Sequence, residues 1–295
     1  MKSKGVKNKK IIIMNTLLAS LMFFTRLPWW RLRSVPKEAF EHVVDWWPLV
    51  GWLTGGTMAL TYLVAALLGF GPLVAAGLAI GARLLLTGAL HEDGLADFCD
   101  GFGGGTTRER TLAIMKDSHI GTYGVLGLIV GLGLLWASMS GLPLMRLLPA
   151  APLHGPHPVT GGPWGFFVPL RWGCKGALIL LYFDVAAKCA ASLITGQLPY
   201  ARTADGAKNQ VVYVGRSLRG WLLHALRCVL ALLLPVALLT WAGYSRLLWL
   251  LPVPYVVELL LMWWMRRRLG GYTGDCCGAL FLLCELSLYL AMPLL

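Results

Sequence analysis

Seven stretches of this chain, near residues 47–68, 71–90, 121–141, 174–197, 220–241, 247–265 and 277–295, are mainly apolar. Each is about 20 residues long, the length an α-helix needs to cross the hydrocarbon layer of a bilayer. The expected fold is therefore all-α: a polytopic integral membrane helix bundle of about seven transmembrane helices, a single membrane domain over residues 1–295. Only 14% of the residues are charged, against roughly 25% in an average soluble domain.

Lysine and arginine are retained on the cytoplasmic side of membrane proteins. Assigning 1–10, 31–45, 91–120, 198–219 and 266–276 to that side places 18 of the 26 there, leaving Arg146, Arg171, Lys175 and Arg246 opposite. Both flanks of 11–30 then lie in the cytoplasm, so this segment is expected to be an interfacial or re-entrant helix near the active site, within a cytoplasmic or interfacial N-terminal segment 1–45. No small-residue cleavage site precedes Thr25–Pro28, so the Lys-rich start is expected to be retained. The Pro- and Gly-rich stretch 142–173 is expected to be an irregular outer loop, in which His154 and His157 are incidental. The net charge of +12 follows this topology, with no basic face interleaved with base-stacking aromatics, so no nucleic acid is expected as a partner; the lipid bilayer is. Seven cysteines form no CxxC pair, and neither a zinc site nor a disulfide framework is indicated. Arg83, Asp184, Lys188, Arg227, Glu258 and Glu285 lie in or near apolar runs, where ionisable groups are costly and need a partner or cavity; Asp184 and Lys188, at i and i+4, are expected to pair.

Six of the 14 acidic residues, Glu92, Asp93, Asp97, Asp100, Glu109 and Asp117, lie in a window of 26 positions. If the run 71–90 continues as helix, Asp93, Asp97 and Asp100 share one face, while Glu92 points about 100° away. Three like charges on one stripe call for a cation, and an all-oxygen set favours Mg²⁺. The loop Gly101–Thr107 brings backbone N–H groups within reach of an anion, with Gly103 and Gly104 as phosphate contacts. Arg108, Arg110 and Lys116 supply positive charge for phosphate oxygens. Metal, glycine and cation together are equipment for phosphoryl or nucleotidyl transfer, so 91–120 is expected to be a cytoplasmic catalytic loop. Asp117, Asp97 and His119 are the candidate proton acceptors. Asp275, opening the last apolar run, is expected either to cap that helix or to touch substrate.

Four blocks in these regions resemble the cobalamin synthase family, the adenosylcobinamide-GDP ribazoletransferases: Phe24–Pro28; Trp47–Gly51; His91–Gly105 continuing through Ile114–Val125; and Gly270–Asp275 with Gly278–Ala279. The resemblance implies a multi-pass enzyme of the cell inner membrane, Mg²⁺-dependent, with its active site facing the cytoplasm. It would join adenosylcobinamide-GDP to α-ribazole or its 5′-phosphate, releasing GMP and giving adenosylcobalamin or its phosphate. Asp93, Asp97 and Asp100 would then hold the metal, and Arg26 of the first block joins the substrate-binding candidates. Asp97-x2-Asp100-Gly101 also looks like the start of the CDP-alcohol phosphotransferase motif, whose second half is absent. An ion-coupled transporter is the remaining alternative, since carboxylates beside broken helices also coordinate ions.

Overall fold

In a computed structural model, residues 2–142, 167–202 and 215–295 are described. The described residues form α1 (Lys2–Phe24), α2 (Trp47–Leu67), α3 (Pro72–Thr87), α4 (Leu90–Gly104), α5 (Arg108–Ile114), α6 (Thr122–Ser140), α7 (Phe167–Ala191), α8 (Ile194–Gln197), α9 (Leu218–Trp241), α10 (Pro252–Leu269) and α11 (Gly274–Ala291). Short 3-10 segments cover Trp29–Arg31, Lys37–Trp46 and Ser245–Leu250. Strand-like pairing among the described residues amounts to one isolated bridge, Tyr200 with Tyr272. The architecture is the expected all-helical membrane bundle.

Six helical segments, those containing α2, α6, α7, α9, α10 and α11, are long and apolar enough to cross a membrane. The remaining expected span, 71–90, is different: α3 stops and α4 leaves it at 91°. The break is made by two successive left-handed residues, Gly88 (φ 67°) and Ala89 (φ 57°). Left-handed backbone costs an alanine about 1–2 kcal/mol, so the surroundings must hold the turn in place. Arg26 helps to do so, because its backbone N–H donates to Leu86 O at 2.7 Å and its guanidinium rests on Gly88, where a Cβ would stand 2.1 Å from Nε. The acidic block thus does not prolong the apolar run of 71–90, and 91–120 is not a loop. It is two helices, α4 and α5, with connecting turns.

The apolar part of α1, Ile11–Phe24, is shorter than a span. It lies against the 37–46 segment, with Trp46 Nε1 donating to Thr16 Oγ1 at 2.9 Å and the Ser20 hydroxyl donating to Val43 O. Of the expected outer loop 142–173, residues 143–166, with both histidines, lie outside the described residues. Residues 167–173 are instead the opening turns of α7. Pro169 sits in the first turn, where a missing N–H breaks no intrahelical bond. Gly173 and Gly176 then seat this end of α7 on Leu63, Ala66 and Tyr62 of α2.

Five ionisable side chains from four helices meet at the centre. Arg83 of α3 reaches Glu285 of α11 at 2.6 Å, Glu92 of α4 at 3.5 Å and Asp184 of α7 at 3.9 Å. The expected Asp184–Lys188 pair forms, Thr54 of α2 donates to Asp184 at 2.9 Å, and Lys188 Nζ stands 3.8 Å from the Phe281 ring centroid. All five are buried, so each charge depends on the others for the solvation that water would give. Glu92 is spent here, off the aspartate face as its helical angle requires.

Arg83→Met should leave Glu285 and Glu92 without their cation and destabilise the bundle by about 3–5 kcal/mol, read as a lower thermal unfolding temperature in detergent. The double variant R83M/E285Q should recover part of the loss. An R83M protein as stable as the parent would refute the account.

Candidate active site

The helices α4 and α11 cross at two glycines. A Cβ on Gly94 would stand 2.9 Å from the Asp275 carbonyl oxygen and 3.3 Å from Gly278 Cα, and one on Gly278 would stand 3.0 Å from His91 O. Absent side chains allow backbone-to-backbone contact of this kind. The contact brings the third and fourth sequence blocks together, although they are some 180 residues apart. Beside the crossing lies a cavity of about 140 Å³. Phe24 of the first block, Trp47 of the second, His91 and Asp93 of the third, and Gly274, Asp275 and Gly278 of the fourth all line it. Both helices present their first turns here, so their partly positive N-terminal ends face the same space.

The three aspartates fare differently. Asp93 is exposed and lines the cavity, and Asp97 follows one turn along α4, half-buried. Asp100 is buried and receives the Gly121 N–H on Oδ2 at 2.7 Å and the Gly124 N–H on Oδ1 at 2.8 Å. It therefore caps the start of α6, using both oxygens on donors that the helix would otherwise leave unpaired. Among the described residues no group of three or more His, Cys, Asp or Glu side chains is placed to hold a metal ion. Of the expected three-aspartate set, Asp100 is thus engaged as a helix cap.

The glycines and cations also need correction. Gly103 and Gly104 are not in a loop but in the last turn of α4. A Cβ on Gly103 would stand 2.6 Å from the Tyr123 ring, so its lack of a side chain serves packing onto α6. Arg108 donates from Nε to Leu269 O at 2.7 Å and from Nη2 to Ala201 O at 3.0 Å. Arg268 in turn donates to the Phe102 and Gly105 carbonyls that end α4. Arg108 thus closes the end of α10, and Arg268 of α10 closes the end of α4, so Arg108 ties helix ends together and lines no part of the cavity. Arg110 and Lys116 are exposed and line no part of the cavity, and Arg26 sits at the α3–α4 bend. Asp275 is not the cap of α11 but a first-turn residue, the cap being Thr273, which accepts from Cys276 N–H at 3.4 Å.

Asp117 lies outside the cavity lining, on an exposed turn where it holds His119 by the backbone N–H at 3.0 Å and by Nδ1 at 2.7 Å. These bonds keep its carboxyl below the ordinary carboxylate range. Its hold on the turn is therefore complete at neutral pH and is lost as pH falls through that lowered value. Two cavity residues escaped the sequence reading. Arg202 Nη2 stands 4.0 Å from Asp275 Oδ2 and donates to Leu112 O at 3.1 Å, and burial pushes the Tyr200 phenol up to about 12. Only their position in a segment assigned to the cytoplasm marked them. Trp47 of the second block is fully buried in the cavity wall.

A family model described as CobS, cobalamin-5-phosphate synthase, matches residues 16–293. The chain belongs to this family. Relatives named adenosylcobinamide-GDP ribazoletransferase include those of Leptothrix cholodnii, 36% identical over 278 residues and covering 92% of both chains, and of Leptospira biflexa, 31% identical with the same coverage. That of Shewanella piezotolerans is 32% identical over 95% of both chains. No solved structure matches the chain. Membership in the cobalamin-5-phosphate synthase family favours neither the transporter nor the CDP-alcohol phosphotransferase expectation.

Gly94→Val or Gly278→Val should push α4 from α11, costing about 1–3 kcal/mol and most of the activity. Gly81→Ala, where a Cβ meets nothing within 4 Å, should leave both unchanged. Unfolding temperatures measured side by side check the contrast, and equal tolerance at 94 and 81 would contradict the close crossing.

Proposed function

We propose that the protein is a multi-pass membrane enzyme that joins adenosylcobinamide-GDP to α-ribazole or its 5′-phosphate and releases GMP, working at the cavity beside the α4–α11 crossing. The observation that carries this reading is the convergence on one cavity of residues from all four blocks that resemble the cobalamin synthase family. The relatives' shared name points the same way.

The donor set suits Mg²⁺. Asp93 and Asp97 offer hard carboxylate oxygens one helical turn apart, and this ion usually takes one or two carboxylates and completes its shell with water and substrate phosphates. When bound there it would neutralise pyrophosphate oxygens. The chain's own residues have the other tasks. Arg202, beside Asp275, brings a guanidinium to the cavity wall for remaining phosphate charge, and the two helix N-termini add to that field. A ribazole hydroxyl oxygen attacks the phosphorus nearer cobinamide, the anhydride bond to the second phosphorus breaks, and GMP leaves with the electron pair. The hydroxyl proton needs an acceptor. Asp97, one turn from cavity-lining Asp93, is better placed than Asp117.

Arginines of several segments meet at the same end of the bundle. Arg108 links α5 to Leu269 and Ala201, Arg202 links back to Leu112, and Arg216 joins Asp45 at 2.7 Å and Ser192 O at 2.9 Å. By the retention of positive charge this end faces the cytoplasm of the inner membrane.

Asp93→Asn and Asp97→Asn should each reduce cobalamin formation from GDP-cobinamide and α-ribazole at least 100-fold, roughly the weight of a lost charge-stabilising or proton-transfer group. Their unfolding temperatures should stay at the parent value. Asp100→Asn should instead lower stability by about 1 kcal/mol through the lost cap. Full activity in Asp93→Asn would refute the assignment. Excess EDTA should stop GMP release and added Mg²⁺ restore it; release unaffected by chelation would reject the metal.

A further inference from the structure

The back of the acidic helix carries a second, larger cavity. A cleft of about 510 Å³ runs between α6 and α10, with α4 and α11 forming its floor. Its α4 residues Leu95, Phe98, Cys99 and Phe102 recur at steps of three and four and so share one face. Phe102 lies nine residues after Asp93, about 180° around the helix, so this face is opposite the carboxylates. Tyr123, Val130 and Leu134 of α6 and Trp264 of α10 line the cleft and are exposed. Both helices belong to segments long and apolar enough to span a membrane, so the cleft opens to lipid.

Its length and its ends say which part of a lipid fits. From Tyr123 to Leu134 the cleft follows α6 for 11 residues, about 16 Å, close to half of the ~30 Å hydrocarbon thickness. It is thus one leaflet deep. Cations gather at its Tyr123 end. The Tyr123 ring lies against Gly103, and Arg268 donates to the carbonyl oxygen of Phe102 at 3.3 Å, so a guanidinium stands at the mouth. Trp264, 4.8 Å from Phe102 between ring centroids, is one helical turn from Arg268. Arg267 is exposed, 4.4 Å from the centroid of the Trp263 ring, and Arg108 reaches the same helix end through Leu269 O. Asp100 has both oxygens engaged by N–H groups of α6. Glu109 of α5 is outnumbered by Arg108 and Arg110 beside it and by Arg266, Arg267 and Arg268 at the end of α10.

We propose that this cleft binds one anionic glycerophospholipid, with an acyl chain lying between α6 and α10 and the phosphate on the arginines at the end of α10. Basic pockets between membrane helices favour anionic headgroups in this way, and a guanidinium can pair two phosphate oxygens at once. A second copy of the chain docking by the same face would bring its own arginines to the mouth, like charge against like. The lipid therefore rests on the back of the helix whose front carries Asp93.

The test is native mass spectrometry of the full chain released from detergent micelles, with phosphatidylglycerol or phosphatidylcholine of identical acyl chains added in steps. The parent should retain one phosphatidylglycerol in preference by about fivefold or more, the weight of a single arginine at a membrane surface. Arg267→Gln, which leaves the Arg268 bonds to α4 in place, should lower that preference several-fold. Val130→Trp, which fills the cleft from its exposed side, should reduce retention of both lipids, while Leu233→Trp on the exposed face of α9 should change neither. A phosphatidylglycerol with a photoactivatable group at its acyl end should label α6 near Leu134 in the parent and lose that label in Val130→Trp. Should Val130→Trp fold poorly, the label map of the parent carries the test. Equal retention of the two lipids, labelling spread evenly over the exposed helices, or a dimer lost in Val130→Trp while lipid retention persists would each overturn the site.

Discussion

A guanidinium buried inside an apolar bundle keeps its charge only if carboxylates surround it, and Arg83 meets this condition by drawing on three other helices. Glu285 belongs to α11, Glu92 to α4 and Asp184 to α7, so the solvation of one side chain sets the relative position of the elements that build the cavity. Glu92 immediately precedes Asp93 on α4. The same residue pair thus faces inward to the ion cluster with one carboxylate and outward to the cavity with the next. Buried ion pairs are weak evidence for stability in themselves. Here their geometric effect is the more evident one, because the α4–α11 crossing at Gly94 and Gly278 closes a short distance from the cluster.

At the charged end of the bundle a second principle operates. Helix C-termini leave carbonyls unpaired, and here arginines cover them. Arg268 closes the end of α4, Arg108 the end of α10, and Arg216 the turn after α7. Positive charge that sequence reading assigns to topology and phosphate therefore has a further use in tying neighbouring helix ends together.

Much of this was legible in the sequence. Apolar run length identified the spanning helices, and the four blocks identified the residues that meet at the cavity. The spacing of 93 and 97 placed two carboxylates on one face. What escaped depended on tertiary partners. Nothing in Ala89 itself announces a left-handed alanine, so the bend between α3 and α4 was missed. Asp100 was counted as a ligand because its true partners, the N–H groups of Gly121 and Gly124, lie more than 20 residues on. Gly103, Gly104 and Arg108 were read as a phosphate cradle because glycine and arginine beside acids suit that purpose as well as they suit close packing and helix closure. Arg202 and Tyr200 carried no local pattern at all.

The seating of Arg26 on Gly88 has a mechanical consequence. The N-terminal segment meets the α3–α4 bend through Arg26 and the acidic helix itself through Phe24 and His91, so the angle at which Asp93 meets the cavity is tied to how the first thirty residues lie on the rest of the protein. A topology drawing would show that segment as a peripheral appendage. It acts more as a lever arm whose short end rests against the acidic helix.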